Sequence, residues 1–258
     1  MKPAIVAASQ YGDRSAPPLL FIRALPAEVG NPRGLDRLLE RLIVRGPART
    51  HRVLAVGRPA RLPQRFEMSE IAQVYADLLR RRLAGPVALM GLSTGSSVAL
   101  QLAADHPELV SSLVVAAGAA RLAPRGRAIQ ARYADSLAAG HPRAAAEMAG
   151  ATVNVGLLDP LVRVAGRLLP PPGHPDSLVA LIEAEDRFDV LDRLHRITAP
   201  ALVVSGGRDV FYPPELGRET AERMPRARQI VYPARSHSGV PLDPRFAGDV
   251  ASFLRQVE

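Results

Sequence analysis

The 258-residue chain contains no cysteine, which excludes a disulfide framework, a thiol nucleophile and any thiolate-held metal. It has a single lysine, Lys2, so its formal charge of +8 rests almost wholly on arginine. Those arginines are scattered and interleaved with Asp and Glu, as in Leu35 to Val44, "LDRLLERLIV". A clustered basic stripe of the kind that displaces counterions from phosphate is missing, so no nucleic-acid partner is expected. Long apolar runs are also absent: none approaches the roughly 18 residues of a membrane-spanning helix. The N-terminal "MKPAIVAASQYGDRSAPP" has too short an apolar run for the core of a signal peptide. A soluble, cytoplasmic protein with no membrane partner is the expectation.

What is present is ordinary globular material, 47% hydrophobic and 22% charged. A chain of this length suits one large core, with room for an inserted cap. Short apolar runs alternate with amphipathic helical patterns, which predicts an α/β fold with a mostly parallel, doubly wound sheet. Strands are expected at Ala4 to Ala8, Leu19 to Arg23, Val53 to Val56, Val87 to Met90, Leu113 to Ala116, Ala201 to Ser205 and Gln229 to Tyr232. Helices are expected at Leu35 to Arg45, Ser69 to Leu83, Thr94 to Asp105, Pro214 to Met224 and Arg245 to Gln256. Between about Arg121 and Ile197 the alternation gives way to Ala-, Leu- and Arg-rich helical periodicity, broken at "LLPPPGHPD", where three prolines forbid a continuous helix. This predicts a core of residues 1–120 and 197–258 with a helical cap, 121–196, inserted between two strands.

The stretch "VALMGLSTGSSVAL" runs from a buried strand through a glycine-bracketed serine into a helix. On its own this is an ordinary Gly/Ser turn in which Ser93 or Thr94 caps the helix. A serine forced into a sharp strand-to-helix turn, however, needs small residues on either side, and Gly91 and Gly95 supply them. The helix would then point its amides at an anion forming beside Ser93. A serine hydroxyl needs a base, and the base needs an orienting group. The order Ser, acid, His is met by Asp209, which ends the glycine turn of "ALVVSGGRDVFYPPE", and His237 in "IVYPARSHSG". Both follow predicted parallel strands at their carboxyl ends, the edge where open α/β sheets bind ligands.

These segments together make the chain resemble an α/β-hydrolase over nearly its whole length: "PPLLFI", "MGLSTGS", "LQLAADHPELVSSLVVAAG", "ITAPALVVSGGRD" and "RSHSG". The resemblance implies that Ser93 is the nucleophile, His237 the general base and then acid, and Asp209 the orienting carboxylate. It implies an oxyanion hole from the backbone amides of Thr94 and Leu25, with Arg23-Ala24 standing where relatives often have His-Gly. Ser96 replaces a glycine common in relatives, with an expected effect on helix packing. No metal and no organic cofactor are implied. His51, His106, His141, His174 and His195 lack ligand-like spacing and read as surface or capping residues.

The implied chemistry is acyl transfer from an ester to water. The cap's Ala, Leu and Val content predicts that it forms most of an aliphatic pocket wall, with Met148, Leu157, Leu158, Leu161 and Leu168 as candidate lining residues. Cap arginines such as Arg125, Arg127 and Arg163 read as solvated helix faces. The expected partner is a small-molecule substrate of small to medium, mainly aliphatic character, bound by a monomer or homodimer. The same triad can serve thioester or carbon–carbon hydrolysis, and the fold can serve non-hydrolytic binding.

Overall fold

The computed structural model describes residues 8–24, 30–58, 62–141, 144–153 and 174–257. Seven strands form one sheet in the order β1-β3-β2-β4-β5-β6-β7. They are β1 (Ala8–Tyr11), β2 (Pro18–Ile22), β3 (Arg52–Val56), β4 (Val87–Leu92), β5 (Val110–Ala116), β6 (Ala201–Gly206) and β7 (Ala227–Tyr232). All neighbours are parallel except β1, which pairs antiparallel with β3, Ala8 opposite Val56.

The first described strand, Ala8–Tyr11, meets the expected Ala4 to Ala8 only at Ala8, and residues 4–7 lie outside the described ones. Apolar runs mark strands buried on both faces. β1 is an edge strand of alternating exposure, "ASQY", and carries no such run.

The central strands are buried on both sides, and their side chains divide by period two. Leu20, Leu89, Leu113 and Val203 face one layer, with Ile71, Tyr75 and Leu79 of α2 (Met68–Arg82) and Val98 and Leu102 of α3 (Thr94–Asp105). Leu19, Met90, Val114 and Leu202 face the other, with Val44 of α1 (Gly34–Val44) and Phe246, Val250 and Leu254 at the C-terminus. Each such fully buried side chain contributes about 1.5–3 kcal/mol relative to exposure.

After β5 the next strand of the sheet among the described residues is β6. The described residues between contain α4 (Pro124–Ala138), α5 (Ala144–Val153) and α6 (Pro175–Arg187). The two ends of this insertion meet: Arg121 and Asp189 form an isolated bridge, and the Val190 amide donates to the Ala120 carbonyl at 3.0 Å. Ala180, Leu181 and Ala184 of α6 pack into the α2–α3 layer, so the insertion shares the main core along one helix. Two helices follow, α7 (Pro214–Glu222) and α8 (Phe246–Val257). Among the described residues no helix is long and apolar enough to cross a membrane.

This topology decides where a site can form. The chain goes from β2 outward to β3, then crosses back to β4 on the other side of β2. Connections therefore diverge at the carboxyl ends of β2 and β4, opening the crevice typical of such a switch point.

Candidate active site

One residue separates β4 from α3. Ser93 makes the whole turn with φ 54° and ψ −125°, a conformation that L-residues rarely adopt. Neighbouring backbone leaves no alternative to glycine nearby. A Cβ on Gly91 would collide with the Gly95 carbonyl, and one on Gly95 with the carbonyls of Ile22 and Arg23. The Ser93 amide donates to the Ala116 carbonyl at 2.9 Å, tying the turn to β5. Although Ser93 occupies the N-cap position, its side chain caps nothing; its Oγ lies 2.8 Å from His237 Nε2. Strain of this kind costs about 1–3 kcal/mol. Ser93→Gly is therefore expected to raise unfolding free energy by about 1 kcal/mol in chemical denaturation while removing the hydroxyl, the offset being glycine's greater unfolded-state entropy.

The other two side chains arrive from loops after β6 and β7. His237 Nδ1 is 2.8 Å from Asp209 Oδ2, so Nδ1 carries the proton and Nε2 turns a lone pair to Ser93. Asp209 is itself fixed, because its Oδ1 accepts the amides of Phe211 at 2.8 Å and Tyr212 at 3.0 Å. Burial on its own disfavours the His237 imidazolium. The charge and hydrogen bond of Asp209, with a further contribution from Glu185, outweigh it and raise the ring's pKa above the usual 6.5. Phe211 and Tyr212 bracket the imidazole, with centroids 5.0 Å and 6.0 Å from it. Further along the same loop, Asp243 accepts Arg245 Nε at 2.9 Å and Arg235 Nε at 2.8 Å, and these guanidinium bonds hold its carboxyl far below the usual range.

Where an oxyanion hole is expected, α3 begins at Thr94, and the first amides of a helix have no intrahelical acceptor. Leu25 lies outside the described residues, so the second expected donor has no position here. The segment leading to it is anchored: the Arg23 amide donates to Val56 at 3.1 Å, and its guanidinium pairs with buried Glu40 of α1, which also accepts Tyr11 Oη at 2.7 Å. Ser96 is fully buried and donates to the Ala116 carbonyl at 3.0 Å, so its hydroxyl is absorbed into the β5–α3 packing.

A cavity of about 340 Å³ opens above Ser93 and His237. Its described wall corrects the expectation of a purely aliphatic surface. The cap supplies Gln130, Met148 and Thr152, while α1 adds Leu39 and Ile43 and the histidine loop adds Pro241 and Leu242. The wall also carries the aromatic rings of Phe211 and Tyr212, contributed by the acid loop and not by the cap. Cap composition could not reveal them. Met148 lines the cavity; Leu157, Leu158, Leu161, Leu168 and Arg163 lie outside the described residues. Arg125 and Arg127 are exposed.

The remaining histidines separate. His106 ends α3, His174 precedes α6, and His141 and His195 are exposed. His51 is buried, with Nδ1 2.9 Å from Thr50 Oγ1, which corrects the surface reading. Among the described residues no three His, Asp or Glu side chains gather as a metal site would require.

Comparison with known proteins places this geometry in context. Residues 17–244 match the family described as alpha/beta hydrolase fold. The pimeloyl-[acyl-carrier protein] methyl ester esterase of Neisseria meningitidis serogroup A is 30% identical over 224 residues, covering 81% of this chain and 68% of that protein. Two solved structures share the fold at lower identity. The enol-lactonase of Burkholderia xenovorans LB400 superposes with a TM-score of 0.80 at 21% identity, covering 97% of this chain and 96% of its own. A thermophilic esterase of Thermogutta terrifontis gives 0.75 at 22%, covering 98% and 93%.

Proposed function

The chain belongs to the α/β-hydrolase fold family, and from that membership we propose that it is a carboxylic ester hydrolase working through Ser93, His237 and Asp209. The observation that carries the reading is the continuous hydrogen-bonded line from Ser93 Oγ through His237 to Asp209, 2.8 Å at each step. Ser93 attacks the ester carbonyl as His237 Nε2 takes its proton. Asp209 keeps the imidazole in the required tautomer and stabilises the imidazolium that forms. The Thr94 amide and the positive end of α3 receive the charge on the carbonyl oxygen. His237 then protonates the departing alcohol. A water molecule repeats the sequence on the acyl-enzyme and restores Ser93.

The substrate class follows from the wall of the cavity. Leu39, Ile43, Leu92, Met148 and Leu242 surround the nucleophile with apolar surface, which favours an aliphatic acyl chain of small to medium length. Support also comes from the Neisseria relative, whose name describes hydrolysis of a methyl ester on a carrier-bound acyl chain. A panel of p-nitrophenyl esters from acetate to laurate tests this. Each methylene that enters the cavity is expected to raise kcat/KM up to about fourfold, from about 0.8 kcal/mol per buried CH₂, until the cavity is full and the values fall. A flat profile would contradict an acyl chain buried in this cavity.

A further inference from the structure

Glu185, on α6 of the insertion, is 0% exposed and has no part in the mechanism above. Four side chains from three elements donate to it. Oε2 accepts Thr94 Oγ1 at 2.9 Å and Gln130 Nε2 at 3.0 Å; Oε1 accepts Tyr212 Oη at 2.7 Å and Ser97 Oγ at 3.2 Å. All four donors are uncharged. A buried carboxylate is costly even when every lone pair is satisfied, and glutamine or leucine would fill α6 more cheaply. What distinguishes the position is what its donors touch. Thr94 carries the amide beside the nucleophile, and Tyr212 stacks on His237 at 6.0 Å.

We propose that Glu185 is a positioning residue of the hydrolytic site, a second buried carboxylate that locks the insertion onto the nucleophile turn and, with its negative charge, stabilises the His237 imidazolium formed during acyl transfer. This rests on the ester hydrolase reading for its catalytic consequence, though not for its electrostatics. Through Thr94 and Ser97 it fixes the first turn of α3. Through Tyr212 it fixes the ring against which His237 is held. The Tyr212 phenol stays protonated and donating, since burial and the Glu185 charge push its pKa well above 10. Among the described residues, the carboxylates that act on His237 are Asp209 from the acid loop and Glu185 from α6, while the Tyr212 ring stacks on the imidazole and Ser93 Oγ meets its Nε2. Asp186, next along α6, is partly buried and its pKa is raised to about 6 by burial and by Glu185, with Arg127 and Arg187 opposing.

Glu185→Gln removes the charge at nearly constant volume and turns an amide NH₂ toward two of the four donors. The expected result is a fall in kcat of about tenfold to a hundredfold, the scale of small misplacements in a site, with KM changed less than about threefold. In parallel, NMR titration of the His237 imidazole should show its midpoint moved to lower pH, and Glu185→Asp should return that midpoint most of the way to wild type. An unchanged kcat, or a reduced kcat with an unmoved His237 midpoint, would overturn the proposal and leave Glu185 a packing residue. The titration needs no turnover. A wild type inactive on every ester would refute the hydrolase reading, whereas an unmoved midpoint refutes this one. If Glu185→Gln does not fold, Thr94→Val carries the test: kcat falls about tenfold at constant KM if the link to the nucleophile turn matters, and wild-type kcat overturns it.

Discussion

Replacing Ser93 with alanine is expected to lower ester turnover by about five to six orders of magnitude while leaving the fold intact. Alanine loses the only atom that can attack, and what persists is the modest acceleration that oxyanion contacts and binding give alone. The fold survives because the hydroxyl contributes to the site and not to the helix: its partner is His237 Nε2, and it makes no cap on α3. The backbone bond from the Ser93 amide to Ala116 is retained. His237→Ala should be nearly as severe. The double variant should be little worse than either single one, since both changes disable the same proton transfer. Steady-state kinetics beside thermal unfolding of the three variants would measure both halves of the expectation.

Asp209→Asn should reduce kcat by about 10⁴-fold, and the hydrogen bonds of this loop explain why so small a change has that effect. Oδ1 is committed to the Phe211 and Tyr212 amides. An asparagine that keeps those bonds must point its NH₂ at His237 Nδ1. The imidazole then carries its proton on Nε2, facing Ser93, where it cannot accept another. The pH dependence supplies a second signature. In the proposed mechanism activity requires neutral His237, so it is expected to fall as pH drops through the pKa of that ring. In the wild type burial lowers this pKa, but Asp209 more than compensates and the net shift is upward from 6.5; the acid limb therefore lies above that of an ordinary histidine. Removing the carboxylate charge should move the residual activity's acid limb to lower pH. The same linkage acts on stability. The His237–Asp209 attraction stabilises the fold fully below pH 6.5 and is lost as pH rises through the raised folded pKa.

Much of this site is legible in the sequence because its parts sit where strands end. Val87 to Met90, Ala201 to Ser205 and Gln229 to Tyr232 are apolar runs that announce strands, and Ser93, Asp209 and His237 follow them at short intervals. Gly91 and Gly95 signal the crowding of the turn that the structure exhibits. Other features depend on contacts that no local pattern contains. Glu185 meets Thr94, Ser97, Gln130 and Tyr212 across 91, 88, 55 and 27 residues of chain. A trace was nevertheless present: Leu178, Leu181, Ile182 and Glu185 share one face of α6 by helical spacing, and an acid on an apolar stripe is either paired or functional. Phe211 and Tyr212 stand two and three residues after Asp209, and read as part of its turn until the fold brings their rings beside His237. Their contribution makes the cavity wall more aromatic than cap composition implies. His51 looked like any surface histidine, since only the approach of neighbouring elements buries it.

The most direct test of the account is the intact mass of the protein after exposure to a fluorophosphonate, with Ser93→Ala treated in parallel. The account predicts one phosphonyl adduct on the wild type and none on the variant, because only a hydroxyl activated by His237 and Asp209 displaces fluoride at a useful rate. An unmodified wild type, or equal labelling of the alanine variant, would contradict an activated Ser93.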